Sequence, residues 1–355
     1  MKKAIISAQK LRNVIDFFDR LVGSLEPLRR ELLFFWEDGL KLGATDGCLF
    51  AHLSLPWFDF NPKRIALAVP LDPLKGFLKE LKGSIEVEIG EVLRLKAEKN
   101  SLEIRARKKP RISPWPKGVT LGEVSSAKLR SALDFPSVHL TDADTVRLVA
   151  SGGILYVMGH SEGVTGVSKW QWGLDMSFQL IIPYASARHL VKCLEMVKKE
   201  TLAVEAVEGY PFFKAGALML GITGEIPKGD PPELLNFLFS EHQVPTWVVL
   251  SKEMRSLFSR AAKVERFGAT RTILAFSEEK IQVIVETPYG RFVAYEGVQG
   301  AKDPSKCEMP LKAEKVWRLV SRFTHETAFW YKSPKGMLLT DGKSKAILLE
   351  GVIRQ

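Results

Sequence analysis

The chain has 355 residues, 46% hydrophobic and 26% charged, which are the proportions of a soluble globular protein and give more chain than one typical core uses. Lysine and arginine outnumber the acidic residues by 51 to 41, and the net charge of +10 favours a polyanionic partner. We find no apolar run of membrane-spanning length, no secretory leader pattern, and three cysteines too scattered for a disulfide or zinc framework (Cys48, Cys193 and Cys307). We therefore expect a cytoplasmic protein of two or three domains, with no membrane partner, no metal and no cofactor.

The first third of the chain predicts the order helix, strands, helix, strands. Apolar residues recur at helical spacing near the N-terminus and Ser7 is a suitable N-cap, so we expect the chain to run straight into a helix. Asp-Gly turn signals at Asp38 and Asp46 divide the next stretch into a meander of short strands. Apolar and polar residues then alternate from Ser84 to Arg107, which is typical of half-buried antiparallel strands.

The same order restarts twice. A proline-rich stretch from Lys108 to Gly122 predicts a linker, and the following helix buries Leu129 and Leu133. Strands follow around a Gly-Gly hairpin at Gly152, and a second proline-rich interruption precedes a helix that begins at Ser251. Strands complete the third cycle.

A proline corner marks the same point in each cycle. A short apolar run ends at Pro70, Pro183 and Pro310, and an amphipathic helix follows each proline. The apolar stripe of each helix has the spacing i, i+3, i+4, i+7. We predict an α+β fold of three tandem repeats, with two helices packed on an antiparallel sheet in each, and domains at residues 1–120, 121–243 and 244–355.

Lysine and arginine occupy the helix faces opposite these stripes. Solvated basic faces are common, but their recurrence at equivalent positions of three repeats favours a polyanion that lies across several helices. The candidate DNA-binding residues are Arg20, Lys75, Lys79, Lys82, Lys128, Arg130, Arg188, Lys192, Lys199, Lys252, Arg255, Arg260, Lys263, Lys315, Arg318 and Arg322.

The sequence gives little sign of chemistry. It has no metalloprotease, hydrolase, paired-cysteine or dinucleotide-binding motif, and we expect no enzyme. Asp46, Asp142 and Asp144 lack metal-ligand spacing and fit turn chemistry better. Four tryptophans could stack on bases, although packing is their commoner role: Trp36, Trp57, Trp115 and Trp170.

Several short matches accompany this layout. GLKLGATDG (Gly39 to Gly47) is similar to a strand-turn motif ending in Ala-Thr-Asp, and DTVRLVASGG resembles the entry strand of a second domain. Gly159-His160 and Gly224-Glu225-Ile226-Pro227 resemble a turn and a Gly-x-aromatic-Pro segment. Together with the threefold order, these residues resemble the bacterial DNA sliding clamp, the β subunit of the replicative DNA polymerase III, with this chain as a divergent member.

The resemblance implies a ring. In that family two subunits close head to tail, sheets form the outer wall, and helices line a hole for duplex DNA. A sliding ring should attract phosphates without reading bases, and solvated lysines and arginines meet that need.

The resemblance also implies an apolar pocket in which a polymerase and a clamp loader dock short linear motifs. The implied pocket residues are Ala150, Gly159, His160, Pro227, Leu349, Val352, Ile353 and Arg354. The chain departs from the family pattern at Ala150, at Ser161-Glu162 and in its tail, GVIRQ.

Three alternatives stay open. His160 could be a turn histidine bonded to backbone rather than a pocket residue. The chain could be a monomeric adaptor of the same fold that closes no ring. It could also be a nucleic-acid-processing enzyme on a repeated α+β scaffold.

Overall fold

A computed structural model of the chain describes residues 3–23, 30–36, 40–55, 66–90, 92–105, 118–228, 235, 238–239, 244–301, 307–333 and 335–353. The fold is α+β, and all strand pairing in its four sheets is antiparallel. None of the helices in these ranges has the length and hydropathy to cross a membrane. The predicted fold class is confirmed.

One order of elements occurs three times: a strand, a helix, four strands, a second helix and three strands. The first repeat contains β1 (Lys3–Ser7), α1 (Ala8–Val22), β2 (Glu31–Trp36), β3 (Leu40–Thr45), β4 (Leu49–Leu55), β5 (Ala66–Pro70), α2 (Leu71–Leu78), β6 (Ser84–Ile89), β7 (Val92–Ala97) and β8 (Asn100–Arg105). The second contains β9 (Val119–Ser125), α3 (Ser126–Ser137), β10 (Thr145–Ser151), β11 (Ile154–Ser161), β12 (Val164–Gln171), β13 (Phe178–Pro183), α4 (Tyr184–Met196), β14 (Thr201–Val207), β15 (Tyr210–Ala215) and β16 (Leu218–Ile222). The third contains β17 (Trp247–Leu250), α5 (Ser251–Glu265), β18 (Arg271–Phe276), β19 (Lys280–Thr287), β20 (Gly290–Gly297), an additional short β21 (Gly300–Ala301), β22 (Cys307–Pro310), α6 (Ala313–Val320), β23 (Thr327–Ser333), β24 (Gly336–Thr340) and β25 (Lys345–Glu350).

Each repeat opens with a strand that the sequence pattern did not predict. The expectation that the N-terminus runs straight into a helix is wrong, because β1 precedes α1, and β9 lies where we predicted a linker. These strands form by pairing with β6, β14 and β23, whose residues lie far along the chain. The rest of the predicted linker, and the turn signal at Asp38, lie outside the described residues.

Equivalent backbone hydrogen bonds fix the start of the first helix in every repeat. The N–H groups of Ala8, Ser126 and Ser251 donate to the carbonyls of Gly83, Glu200 and Glu326, at 2.9, 2.9 and 2.7 Å. In each case the acceptor is the residue immediately before the strand that pairs with the opening strand. The three repeats therefore align residue by residue from this bond.

The chain folds into two compact units, residues 1–130 with 188–224 and residues 131–187 with 225–355. We call them unit 1 and unit 2. Unit 1 holds a four-stranded sheet, β1-β6-β7-β8, and an eight-stranded sheet, β5-β2-β3-β4-β16-β15-β14-β9. Unit 2 holds a nine-stranded sheet, β13-β10-β11-β12-β25-β24-β23-β17-β21, and a four-stranded sheet, β20-β19-β18-β22.

Both long sheets join two repeats by the same rule. In unit 1, β4 pairs with β16, and in unit 2, β12 pairs with β25. In each junction, the strand that precedes the proline-corner strand of one repeat (β4 or β12) pairs with the final strand of the next repeat (β16 or β25). The corresponding strands left over are β20 and β8, each at the edge of its four-stranded sheet among the described residues.

The proline corners are confirmed, and the helices after them are shorter than the pattern predicted. The apolar stripes are buried as expected, with Leu74, Leu190 and Val316 among them. The helices end at Leu78, Met196 and Val320 because their last turns tighten into hydrogen-bonded turns, such as the 3.4 Å bond from Lys79 N to the Gly76 carbonyl.

Candidate nucleic-acid interface

In unit 1 the helices α1 and α2 pack side by side, and several of the predicted basic residues lie on them. Arg20 is exposed in the last turn of α1, while Lys79 and Lys82 lie in the turns after α2 rather than within the helix. Lys75 is exposed, but its Nζ lies 2.6 Å from Asp19 Oδ2. Lys75 is therefore ion-paired with a carboxylate, whereas Lys79 makes no side-chain hydrogen bond or ion pair within the described ranges.

Arg30 explains why Asp19 is already engaged. Its guanidinium donates to Asp19 Oδ1 at 2.5 Å and to Asp72 Oδ1 at 3.0 Å, and it also bonds the Gly23 carbonyl. Burial lowers the pKa of Arg30, but the hydrogen bonds and charges of Asp72 and Asp19 together outweigh burial and raise the pKa overall. This network fixes the end of α1 against α2 and belongs to the fold.

The end of α1 also meets α4. At Gly23, whose φ is 49°, a Cβ atom would lie 1.7 Å from His189 Nε2, so a larger residue would displace the histidine. On its other side His189 Nδ1 lies 3.0 Å from Asp46 Oδ2. Arg20 and Lys192, one helical turn from Gly23 and His189, lie beside this contact.

The buried thiol of Cys193 lies near this contact, and its pKa depends on the charges around it. Burial, with the nearby carboxylate of Asp46, raises the pKa of Cys193 to about 12, although the positive charges of Arg20 and Lys192 act to lower it. The thiol is fully buried and protonated at neutral pH, so it is not a reactive cysteine. The two cations near it remain exposed to solvent.

The start of α3 brings further cations to unit 1. Ser126 Oγ donates to the Lys199 carbonyl at 2.7 Å, which holds the residues after α4 against the first turn of α3. Lys128 and Arg130 follow on that turn and are exposed, as is Lys199. No side-chain hydrogen bond or ion pair of these three residues occurs within the described part of the chain.

In unit 2 the predicted cations are mostly engaged. Arg255 donates to the Phe323 carbonyl at 2.7 Å, and Arg260 pairs with Glu296. Lys315 is not a solvated residue, because its side chain is 13% exposed and its Nζ donates to Ser161 Oγ at 2.6 Å.

The two candidate arginines on α6 and just after it are paired as well. Arg318 lies 2.6 Å from Glu314, and its hydrogen bond, with a second from Arg266, holds the pKa of that carboxyl below its ordinary value. Arg322 lies past the end of α6, 3.3 Å from Asp134. Lys252 and Lys263 on α5 are exposed, and neither side chain makes a hydrogen bond or ion pair within the described part of unit 2.

Sequence reasoning missed Lys10. It is exposed in the first turn of α1, two residues after Ala8, where Lys128 stands two residues after Ser126 in the second repeat. A threefold alignment of the helix starts would have found it, but the opening strands that define those starts were not predicted. Arg188, the remaining candidate, is half-buried in α4.

The predicted pocket residues do not gather at one surface of unit 2. Gly159 faces α3, since a Cβ there would lie 2.4 Å from the Pro136 carbonyl. Ala150 lies opposite Leu155 in the β10–β11 pair and therefore shares that face. Leu349 is buried in a core cluster that includes Phe135 of α3.

The opposite face of the sheet carries His160. Its neighbours along β11, Tyr156 and Met158, pack against a second buried cluster that includes Leu235 and Leu238. The expected turn at Gly159-His160 is wrong, because both residues lie within β11 and the turn follows at Glu162, whose φ is 49°. His160 Nδ1 lies 2.9 Å from Thr165 Oγ1, so its partner is a side chain of the paired strand.

The other pocket candidates lie at chain segments outside the strands. Pro227 is half-buried, two residues after the bridge between Glu225 and Ile181. Val352 is 77% exposed, while Ile353 packs partly against the core of unit 2. Arg354 lies outside the described residues.

Asp46 and Asp144 hydrogen-bond to residues of their own turns, as the sequence analysis predicted. Asp46 Oδ1 accepts from the backbone N–H of Leu49 at 2.6 Å, which is turn chemistry. Burial raises the pKa of Asp144, but hydrogen bonds from Thr141 and Ser161 outweigh it and lower the pKa overall. The described residues contain no cluster of three or more His, Cys, Asp or Glu side chains that could hold a metal ion.

Only one of the four candidate stacking tryptophans has a described side chain. Trp170 is half-buried in β12, opposite Leu155. The side chains of Trp36, Trp57 and Trp115 lie outside the described part.

Comparison with solved structures gives full-length likenesses at low sequence identity. The chain is similar to the DNA polymerase III subunit beta of Pseudomonas aeruginosa, with 15% identity, a TM-score of 0.80 and coverage of 99% of this chain and 100% of that one. It is also similar to a putative DNA polymerase III beta subunit from Eubacterium rectale (12%, TM-score 0.82, 99% of each chain) and to the beta subunit from Thermotoga maritima (14%, TM-score 0.77, 99% of each chain). No protein-family model and no curated protein matches the sequence. The chain therefore has the sliding-clamp fold over its whole length.

Proposed function

We propose that this protein is a DNA sliding clamp, which encircles duplex DNA in the cytoplasm and tethers a DNA polymerase without any catalytic turnover of its own. The observation that carries the proposal is the fold, because three repeats joined by one strand-pairing rule match the polymerase beta subunits along their full length. We take the three repeats as three domains, at residues 1–120, 121–243 and 244–355.

The joining rule supports ring closure by a second copy. Within the chain, β4 pairs with β16 and β12 pairs with β25, so β20 of one copy has β8 of the next as its counterpart. The edge strand β20 exposes apolar side chains, with Val293 at 44% and Tyr295 at 62% exposure, as a strand awaiting a partner would. Two copies joined head to tail would close the ring through two such junctions.

The exposed cations support non-specific attraction to duplex DNA. Lysine and arginine on long flexible stems neutralise phosphates without contacting base edges, and counterion release makes such binding sensitive to salt. Topological closure then supplies the long residence, and the intrinsic affinity can stay modest. The polymerase and the clamp loader are the proposed protein partners, through short linear motifs that contact accessible residues such as His160, Pro227 and Val352.

Retention on circular and linear DNA tests the proposal. After loading with a bacterial clamp loader, the protein should remain on closed circular duplex much longer than on the same DNA cut once, because it slides off free ends. Equal retention on both templates would overturn the proposal.

Sedimentation of an edge variant tests ring closure separately. The wild type should sediment as a dimer, and Val293→Asp with Tyr295→Asp should give monomers, since charges on the edge oppose strand pairing. Phe267→Asp is the matched control, because Phe267 is 70% exposed but lies in the turn after α5 rather than in the edge strand. A wild-type monomer would favour the adaptor alternative.

A further inference from the structure

The residue-by-residue alignment of the repeats exposes an unequal distribution of charge at one equivalent position. The first helix of each repeat donates its first backbone N–H to a carbonyl just before a strand. We compare two residues at each such junction: the one two positions after the donor, and the one immediately before the acceptor. In the first repeat these are Lys10 and Lys82, and in the second they are Lys128 and Lys199. The first two repeats therefore have the same pair of lysines at this junction.

The third repeat replaces both lysines. Its equivalent residues are Glu253 and His325, and its acceptor carbonyl belongs to Glu326. Lys252 is adjacent to Glu253, but successive residues of a helix point about 100° apart. At this junction the first two repeats carry two lysines each, whereas the third carries an acid and a histidine.

The lysines are available to a ligand. Lys10, Lys82, Lys128 and Lys199 are all exposed, and none has an ion pair or side-chain hydrogen bond within the described residues. The loop of each pair is held in place by the backbone, since Arg12 bonds the Leu81 carbonyl next to Lys82 and Ser126 Oγ bonds the Lys199 carbonyl. The backbone beside Lys82 and Lys199 is therefore held by hydrogen bonds, while the side-chain ammonium groups stay free to contact a ligand.

Pairing in unit 2 extends this contrast. Five of its candidate arginines and lysines are bonded to acids or to backbone: Arg255, Arg260, Arg318, Arg322 and Lys315. A cation that already has a carboxylate partner releases fewer counterions when it meets a phosphate. Unit 2 should therefore contribute less to the salt dependence of binding than its number of basic residues suggests.

We propose that duplex DNA is held chiefly by the first two repeats, through the equivalent lysine pairs Lys10 with Lys82 and Lys128 with Lys199, and that the third repeat lacks this phosphate contact. This rests on the proposed function and deepens it, because it assigns the phosphate contacts of the same surface. A clamp with this distribution grips the backbone unevenly around its circumference.

The test measures the affinity for a labelled linear duplex by fluorescence anisotropy from 50 to 200 mM salt. Each lysine-to-glutamine pair, K10Q with K82Q or K128Q with K199Q, should lower the slope of log K against log salt by about 1.8 for each copy of the chain that contacts the duplex, so that affinity falls about 12-fold less per copy across this range. The matched control, K252Q with K263Q, removes two exposed lysines of α5 and should lower the slope by less than half as much.

A charge-gain variant makes the test two-sided. E253K with H325K installs the missing pair in the third repeat and should steepen the slope and tighten binding at 50 mM salt. The inference is overturned if the α5 control loses as much slope as either lysine pair, or if the gain variant leaves the slope unchanged. Thermal unfolding of each variant confirms that its fold is intact.

Failure of the inference and failure of the proposed function give different results. If the wild type stays longer on circular than on linear DNA but the lysine pairs have no effect, the contacts lie elsewhere and the clamp function stands. If the wild type shows no topological retention, the proposed function itself is overturned.

Discussion

Arginines at the same position of the three repeats have different roles: two stabilise the fold, and one is accessible to DNA. Arg12, Arg130 and Arg255 each lie four positions after the first residue of a first helix. Arg12 donates to the Leu78 and Leu81 carbonyls at 3.0 and 2.5 Å, and Arg255 donates to the Phe323 carbonyl after α6. Arg130 is exposed, and its side chain makes no hydrogen bond or ion pair within the described ranges.

Substitution by glutamine should therefore give graded losses of stability. A hydrogen bond from a charged donor is worth about 1.5–3 kcal/mol when dry, and partial exposure reduces this. We expect Arg12→Gln to cost about 2 kcal/mol, Arg255→Gln about 1 kcal/mol, and Arg130→Gln less than about 0.5 kcal/mol. The helix ends that lose their ties would fray first.

Differential scanning calorimetry measures the effect in each unit. In a unit of this size, each kcal/mol should lower the midpoint by about 2–4 °C. Arg12→Gln should lower the transition of unit 1 and Arg255→Gln that of unit 2, while Arg130→Gln should leave both midpoints unchanged and reduce the salt slope of DNA binding by about 0.9.

Arg12→Lys serves as the control for charge, because lysine keeps the positive charge but cannot reproduce the two-armed bond geometry. It should lose part of the stability that glutamine loses. The reasoning is refuted if Arg130→Gln destabilises the protein as much as Arg255→Gln, or if Arg12→Gln unfolds like the wild type.

Two further predictions concern unit 2. Burial lowers the pKa of His139 to about 4 from 6.5, while Nε2 lies 3.1 Å from the Val164 carbonyl. As pH falls, this histidine is protonated in the unfolded chain before it is protonated in the folded protein, so its contribution to the free energy of unfolding should drop by about 2 kcal/mol from pH 7.5 to pH 5. In urea unfolding, His139→Gln should weaken this pH dependence. An unchanged pH profile in the variant would contradict the prediction. Gly159→Ala should destabilise unit 2 by about 1–3 kcal/mol in the same assay, because the added Cβ would meet the Pro136 carbonyl at 2.4 Å, whereas Gly152→Ala, which meets no atom within 4 Å but has a φ of 57°, should show only the smaller cost of its backbone conformation.

The local sequence determined the elements whose signals are short-range. Prolines at the strand-to-helix corners, the Asp46 turn and the periodic burial of Leu74 and Leu190 depend on neighbours within about seven residues, and the structure confirms each of them. The threefold order of helices could be predicted for this reason, and with it the fold class.

Tertiary pairing decided the rest. The opening strands β1, β9 and β17 have no distinct periodicity, because a short strand is stabilised mainly by the strand beside it, and that partner is far away in sequence. Tertiary structure also decides whether each cation is bonded. Arg255 and Arg130 occupy equivalent helix positions, but Arg255 donates a hydrogen bond to the Phe323 carbonyl because the segment after α6 packs beside it. Periodicity shows which face of a helix points outward, but a charge is free or paired according to which acid or carbonyl the folded chain brings to it.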